Sequence, residues 1–166
     1  ALPASIGACF AKKGRRVICL TGDGGLQMNI QEMATVMRHQ LPIKVLLINN
    51  GGYSMIGQTQ DQWLNSNYAA SNVENGLAFP DFEKLAVAYG FPSVSIRRNK
   101  DLMGKLKEVI SGHGPAFCNI EMSFDQKVVP QVKYGRPLED GEPLLPRKIF
   151  FENILVKPID ISLGDC

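Results

Sequence analysis

TGDGGLQMNIQEMATVMRHQLPIKVLLINNGGYSMIGQTQ, residues Thr21 to Gln60, is the stretch on which the fold turns. The apolar run Val17-Ile18-Cys19-Leu20 leads into it and the run from Ile43 to Ile48 lies within it; both are short and read as buried strands. Between them Ile30, Met33, Ala34 and Met37 recur at helical spacing. Asn29 and Glu32 stand where an N-cap and its reciprocal partner belong, so a helix is predicted over Asn29 to His39, with Pro42 marking its end. Strand, helix and strand in this order imply a right-handed crossover and therefore parallel strands.

The alternation continues on both sides. Ala4 to Lys12 has the small and apolar residues of a closely packed helix, ended by Gly14. Tyr53 to Trp63 reads as a helix, Leu64 to Phe79 as a polar loop, and Pro80-Asp81 opens a helix carrying Phe82, Leu85, Ala86 and Tyr89, stopped by Gly90. A third strand over Pro92 to Ile96, a helix over Asn99 to Ser111 and a fourth strand over Ala116 to Met122 complete the pattern. It predicts an α/β fold, a doubly wound parallel sheet with helices on both faces. After Asp125 the composition turns to Pro, Lys and Gly, so residues 1–125 are expected to form one domain and 126–166 an irregular tail wrapping over a neighbouring surface.

Composition narrows the classes. With 166 residues and 45% hydrophobic content the chain suits one core. A net charge of +2, with Lys and Arg scattered, points away from nucleic acid and from a polybasic membrane surface. No apolar run approaches the roughly 20 residues that span a bilayer. Cys9, Cys19, Cys118 and Cys166 form no C-x-x-C pair and read as reduced thiols of a cytoplasmic protein. The opening ALPASIGACFAKKG has neither an initiator Met nor a basic leader and reads as the interior of a longer chain.

Ligands collect at the carboxyl ends of strands in an open parallel sheet, and both Gly22-Asp23-Gly24 and Asn49-Asn50-Gly51-Gly52 fall at such ends. Gly24 and Gly25 lack a Cβ that would keep a phosphate from the backbone, and the helix start that follows offers unpaired N–H groups to an anion. Asp23 brings a hard carboxylate oxygen and Asn50 a neutral carbonyl oxygen. With the Gly52 carbonyl and two diphosphate oxygens they approach the oxygen octahedron that Mg²⁺ prefers. Taken singly, Gly-Asp-Gly is also a tight turn and Asn-Gly a common turn pair. Their separation of 27 positions, with a strand end at each, favours two halves of one magnesium diphosphate site.

These residues resemble the thiamine-diphosphate enzymes, and within them the acetolactate synthase-like group, whose diphosphate motif is Gly-Asp-Gly followed, after a helix and a strand, by Asn-Asn. ALPASIGA and RPLEDGEPLLPR resemble further segments of that group, and the likeness runs from Ala1 to about Arg147. The resemblance implies a thiamine-diphosphate-binding fold, with thiamine diphosphate and Mg²⁺ as cofactors. Asp23, the Asn50 side chain and the Gly52 carbonyl are then the metal ligands. Gly22, Gly24 and Gly25 line the diphosphate, with Tyr53, Ser54 and Met55 beside it. It also implies a 2-oxo acid carboligase or decarboxylase, with a simple decarboxylase as the nearest alternative. No catalytic residue is expected in this chain, because the ylid-forming glutamate belongs to a separate pyrimidine-binding domain on a neighbouring subunit of a homo-oligomer. The family's Met-Val-x-Gln-Trp-Gln segment is matched by Met55-Ile56-Gly57-Gln58-Thr59-Gln60, with Thr59 in the tryptophan's place. A rival of another class, a flavodoxin-like interaction domain that binds no cofactor, lacks a use for the Asp23 and Asn50 pair.

The remaining candidates read as structural. Glu32 fits a helix start better than a catalytic carboxylate. His39 closes a helix and His113 sits in a loop. Trp63 and Tyr68 are placed under a loop or at a substrate mouth, while Met28, Met33 and Met37 are expected to pack against the sheet or a partner.

Overall fold

The computed structural model describes residues 1–133 and 135–164, which fall into two compact units, 1–126 and 127–166. Cys166 lies outside the described residues.

In the first unit four strands, β1 (Val17–Gly22), β2 (Ile43–Asn49), β3 (Ser93–Ile96) and β4 (Ala116–Glu121), pair in parallel in the order β1-β2-β4-β3. The helices are α1 (Leu2–Ala11), α2 (Asp23–Gln27), α3 (Glu32–Arg38), α4 (Ser54–Trp63), α5 (Phe82–Ala88) and α6 (Asn99–Ser111). Side chains alternate between the faces of a strand. Cys19, Val45 and Phe117, level with one another in the register, enter one core with Leu2, Ile6 and Cys9 of α1, Met33 and Val36 of α3, and Phe82 and Ala86 of α5. Leu46, Ile96 and Cys118 face the other way and pack with Val109, Leu102 and Leu106 of α6. The fold is therefore a parallel sheet covered by helices on both faces, as its strand-helix alternation predicts.

Two expectations need correction. Val17 to Leu20 does not form a strand buried on both sides: Ile18 and Leu20 are 50% and 62% exposed, because α6 packs on β3 and β4 and leaves the outer face of β1 bare among the described residues. The helix expected from Asn29 begins at Glu32, and no capping box forms. Gln31 precedes the helix in helical conformation and caps nothing, while Glu32 accepts from the Thr35 hydroxyl at 3.0 Å. The cause is the chain before it. Asn29, Ile30 and Gln31 offer their carbonyls to the amides of Glu32, Met33 and Ala34, so the helix start has its partners without a side-chain cap. Of the methionines expected to pack against the sheet or a partner, Met33 is buried in the core and Met28 is 79% exposed, off the sheet.

In the second unit, residues 127–166, the expected irregular tail contains two short helices, α7 (Arg147–Asn153) and α8 (Asp160–Leu163). Its centre is an ion pair. Asp140, 2% exposed, accepts from the Arg147 guanidinium at 2.8 and 2.9 Å, with Arg136 at 3.8 Å, and the Arg147 guanidinium also lies 4.6 Å from the centre of the Phe150 ring. The two hydrogen bonds from Arg147 hold the Asp140 carboxyl below the usual carboxylate range against the opposing effect of burial. No helix among the described residues is long and apolar enough to cross a membrane.

Candidate cofactor and metal site

The register of β1 against β2 pairs Gly22 with Ile48, so Asp23 emerges level with Asn49 at the carboxyl end of the sheet. Asp23 is 2% exposed, and its carboxylate is shared between the two motifs. One oxygen accepts from its neighbour Gly24 N at 2.6 Å. The other accepts from three successive amides of the second motif, Asn50 N at 3.2 Å, Gly51 N at 2.8 Å and Gly52 N at 3.2 Å. A turn that presents three N–H groups to one oxygen needs an unusual backbone, and Gly51 supplies it with φ of 69°. The sequence argument brought Asp23 and Asn50 together as ligands of one ion; the structure adds that Asp23 organises the turn carrying Asn50.

The Asn50 side chain is fixed at both ends. Its Oδ1 accepts from Gly52 N at 3.2 Å and its Nδ2 donates to the Ser54 hydroxyl at the start of α4. Asn49 points elsewhere, donating to Asn119 Oδ1 on β4 at 3.1 Å. At Gly24 the space a Cβ would occupy is filled by the Tyr53 ring, and at Gly25 a Cβ would lie 3.1 Å from the Thr21 hydroxyl. Gly24 is thus bare for Tyr53, and its N–H is turned onto Asp23. Tyr53 and Met55 are 42% and 60% exposed at the mouth of this region.

The donors fit a hard cation. Asp23 and Asn50 contribute oxygen atoms, and the Gly52 carbonyl accepts no backbone hydrogen bond among the described residues. No cluster of three or more His, Cys, Asp or Glu that could hold a metal ion occurs among the described residues, so any cation here would rest on one carboxylate with amide and peptide oxygens. One carboxylate, one amide oxygen and one peptide carbonyl are donors of the kind a hard divalent cation takes.

Residues 1–120 match the family model described as thiamine pyrophosphate enzyme, C-terminal TPP binding domain. The chain belongs to that family. It is 36% identical over 135 residues to an acetolactate synthase large subunit from Cyanidium caldarium, covering 81% of this chain and 23% of the relative. It is 34% identical over 134 residues to the large subunit of acetolactate synthase isozyme 1 from Escherichia coli, again with 81% and 23% covered. Among solved structures, a thiamine diphosphate-dependent 4-hydroxybenzoylformate decarboxylase from Rhodococcus jostii superimposes with a TM-score of 0.64 at 27% identity, over 76% of this chain and 23% of that one. The chain therefore spans under a quarter of the length of these relatives. It is a thiamine-pyrophosphate-binding domain of the acetolactate synthase-like type.

The other sequence candidates fall outside this site. Glu32 is tied to Thr35. His39 follows α3 with its ring edge-on to Phe10 at 5.5 Å, and His113 is exposed in its loop. Trp63 is 45% exposed at the end of α4, and the Tyr68 phenol hydrogen-bonds the Asp61 carboxylate. Thr59 is exposed and donates to the Met55 carbonyl at 3.0 Å. What the sequence reading missed is the ring packing around the turn, Tyr53 against Gly24 and Phe124 against Gly52 and Gly57. Its trace in the sequence is those three glycines.

Proposed function

We propose that this domain holds the diphosphate of thiamine diphosphate through Mg²⁺ as one half of the active site of a larger 2-oxo acid carboligase or decarboxylase. The observation that carries the proposal is the Asp23 carboxylate, buried and tied to the amides of Asn50, Gly51 and Gly52, which fixes two oxygen donors 27 residues apart in one place. Asp23, Asn50 and the Gly52 carbonyl hold the cation. The Gly25 amide and the small side of the Gly22-Asp23-Gly24 turn receive the diphosphate, with Tyr53, Ser54 and Met55 beside it. When bound, thiamine diphosphate supplies the electron sink for cleaving the bond next to a 2-oxo acid's carbonyl. This chain's contribution is to place and orient that group and to offset its negative charge. A glutamate from a separate pyrimidine-binding domain, on a neighbouring subunit of a homo-oligomer, completes the site. The buried thiols Cys9, Cys19 and Cys118 suit a reducing compartment such as the cytoplasm.

Calorimetry on the full-length protein tests the proposal: thiamine diphosphate binding should depend on Mg²⁺ and be abolished by EDTA. Binding that ignores the cation would remove the metal from the assignment. Thr59, exposed and hydrogen-bonded only along its own helix, offers no aromatic face, so the substrate preference is expected to differ from that of a synthase selecting 2-oxobutyrate. Competition between pyruvate and 2-oxobutyrate as acceptors decides that point; strong selection for 2-oxobutyrate would overturn it.

A further inference from the structure

We infer that Phe124 is a positioning residue of the cofactor site, acting through Gly52 and Gly57; the inference rests on the proposed function. Phe124 is half-buried just beyond the carboxyl end of β4. A Cβ added at Gly52 would lie 2.6 and 2.8 Å from two Phe124 ring atoms, and 2.5 Å from the Ser71 carbonyl oxygen. One added at Gly57 would lie 2.5 Å from the tip of the same ring. Neither glycine has positive φ, in contrast to Gly51, so backbone conformation does not require glycine at 52 or 57. The ring does. Its own place is set by Tyr68, packed edge-on at 6.0 Å, whose phenol is hydrogen-bonded to Asp61 on α4.

Gly52 is thus held between the Phe124 ring and Ser71, whose carbonyl accepts from Tyr53 N at 2.8 Å. Its N–H reaches Asp23 and Asn50, each at 3.2 Å, and its carbonyl is the third oxygen assigned to the cation. A shift of Gly52 toward a vacated ring position would move that carbonyl and stretch both bonds. Because Gly57 rests on the same ring, α4, with Ser54 holding Asn50, would shift with it. Phe124 touches no ligand in this scheme. It sets where the peptide that does so lies.

The test uses the full-length protein in four variants, with Mg²⁺ half-saturation measured at fixed thiamine diphosphate by calorimetry and the melting temperature measured in EDTA. Supporting groups around a metal site typically alter affinity by about 10–100-fold, so Phe124→Ala is expected to raise half-saturation at least about tenfold. The milder Phe124→Leu, which keeps the fold, should raise it about threefold. Val109→Ala, in the core on the opposite face of the sheet, should lower the melting temperature and leave half-saturation unchanged. Gly57→Ala combined with Phe124→Ala places a methyl in the vacated space and should recover part of the affinity lost by Phe124→Ala alone. Unaltered half-saturation in Phe124→Leu and Phe124→Ala would overturn the inference, as would a combined variant no better than Phe124→Ala. A parent protein that bound no Mg²⁺ with thiamine diphosphate would overturn the proposed function first.

Discussion

Asp23→Ala should destabilise the protein even when no metal or cofactor is present. The carboxylate accepts four backbone N–H groups, from Gly24, Asn50, Gly51 and Gly52, at 2.6, 3.2, 2.8 and 3.2 Å. Hydrogen bonds to a charged group contribute about 1.5–3 kcal/mol each, but two of these are long and all four share two oxygens, so they do not add. A combined loss of about 3–5 kcal/mol is the reasonable expectation, since alanine also leaves amides without partners at a buried position. For a chain of this length each kcal/mol shifts the melting temperature by about 2–4 °C, which gives a fall of roughly 6–20 °C. Asp23→Asn should fall between parent and alanine variant, because the amide keeps one acceptor oxygen but turns an N–H₂ toward donors. Circular dichroism melting in EDTA without thiamine diphosphate is the assay. A metal-free Asp23→Ala protein melting within about 2 °C of the parent would refute the reasoning and leave Asp23 only its proposed role toward the metal.

Further outcomes follow from the structure. Asp140 has its carboxyl depressed by Arg147, so its contribution is present above the unfolded carboxylate pKa near 4 and lost as pH falls through the lower folded value. Limited proteolysis of residues 127–166 should accelerate over that interval, and Asp140→Asn should make the unit protease-sensitive at neutral pH. Burial pushes the Cys118 thiol up to about 11, and Cys9 and Cys19 are buried as well; in a Cys166→Ser background no thiol should react with a disulfide reagent at pH 8 until denaturant is added. Asn50→Ala should weaken Mg²⁺ binding less than Asp23→Ala does, since water can replace a neutral oxygen; calorimetry giving the reverse order would place the principal ligand at Asn50.

The crossover of β1 and β2 was legible because a period of about 3.6 between two short apolar runs admits few alternatives, and α6 is found over the very residues expected, Asn99–Ser111. The pairing of Asp23 with the Asn50 turn was legible for the same reason, since both must stand at strand ends. The start of α3 was misread because a capping box is a local signal, and the residues before Glu32 already served its amides. Burial of β1 was misread because a strand's residues do not say whether both faces are covered. Phe124 was invisible for a third reason. Its contacts reach 67 and 72 positions back to Gly57 and Gly52, and a glycine carries no mark of what lies against it.

The pairing of Gly22 with Ile48 makes the site a gauge of alignment. Each residue advances a strand by about 3.3 Å and reverses the face its side chain occupies, so sliding β1 past β2 by one position would carry the Asp23 carboxylate away from the turn and point it to the opposite side. A chain threaded in that way would keep much of its helix and strand content and pass a far-ultraviolet spectrum, yet it would lack the place proposed for the cation. Retention of refolded material on an immobilised thiamine diphosphate matrix with Mg²⁺ would accordingly sort molecules by how their strands are aligned, a property that bulk measures of folding do not see.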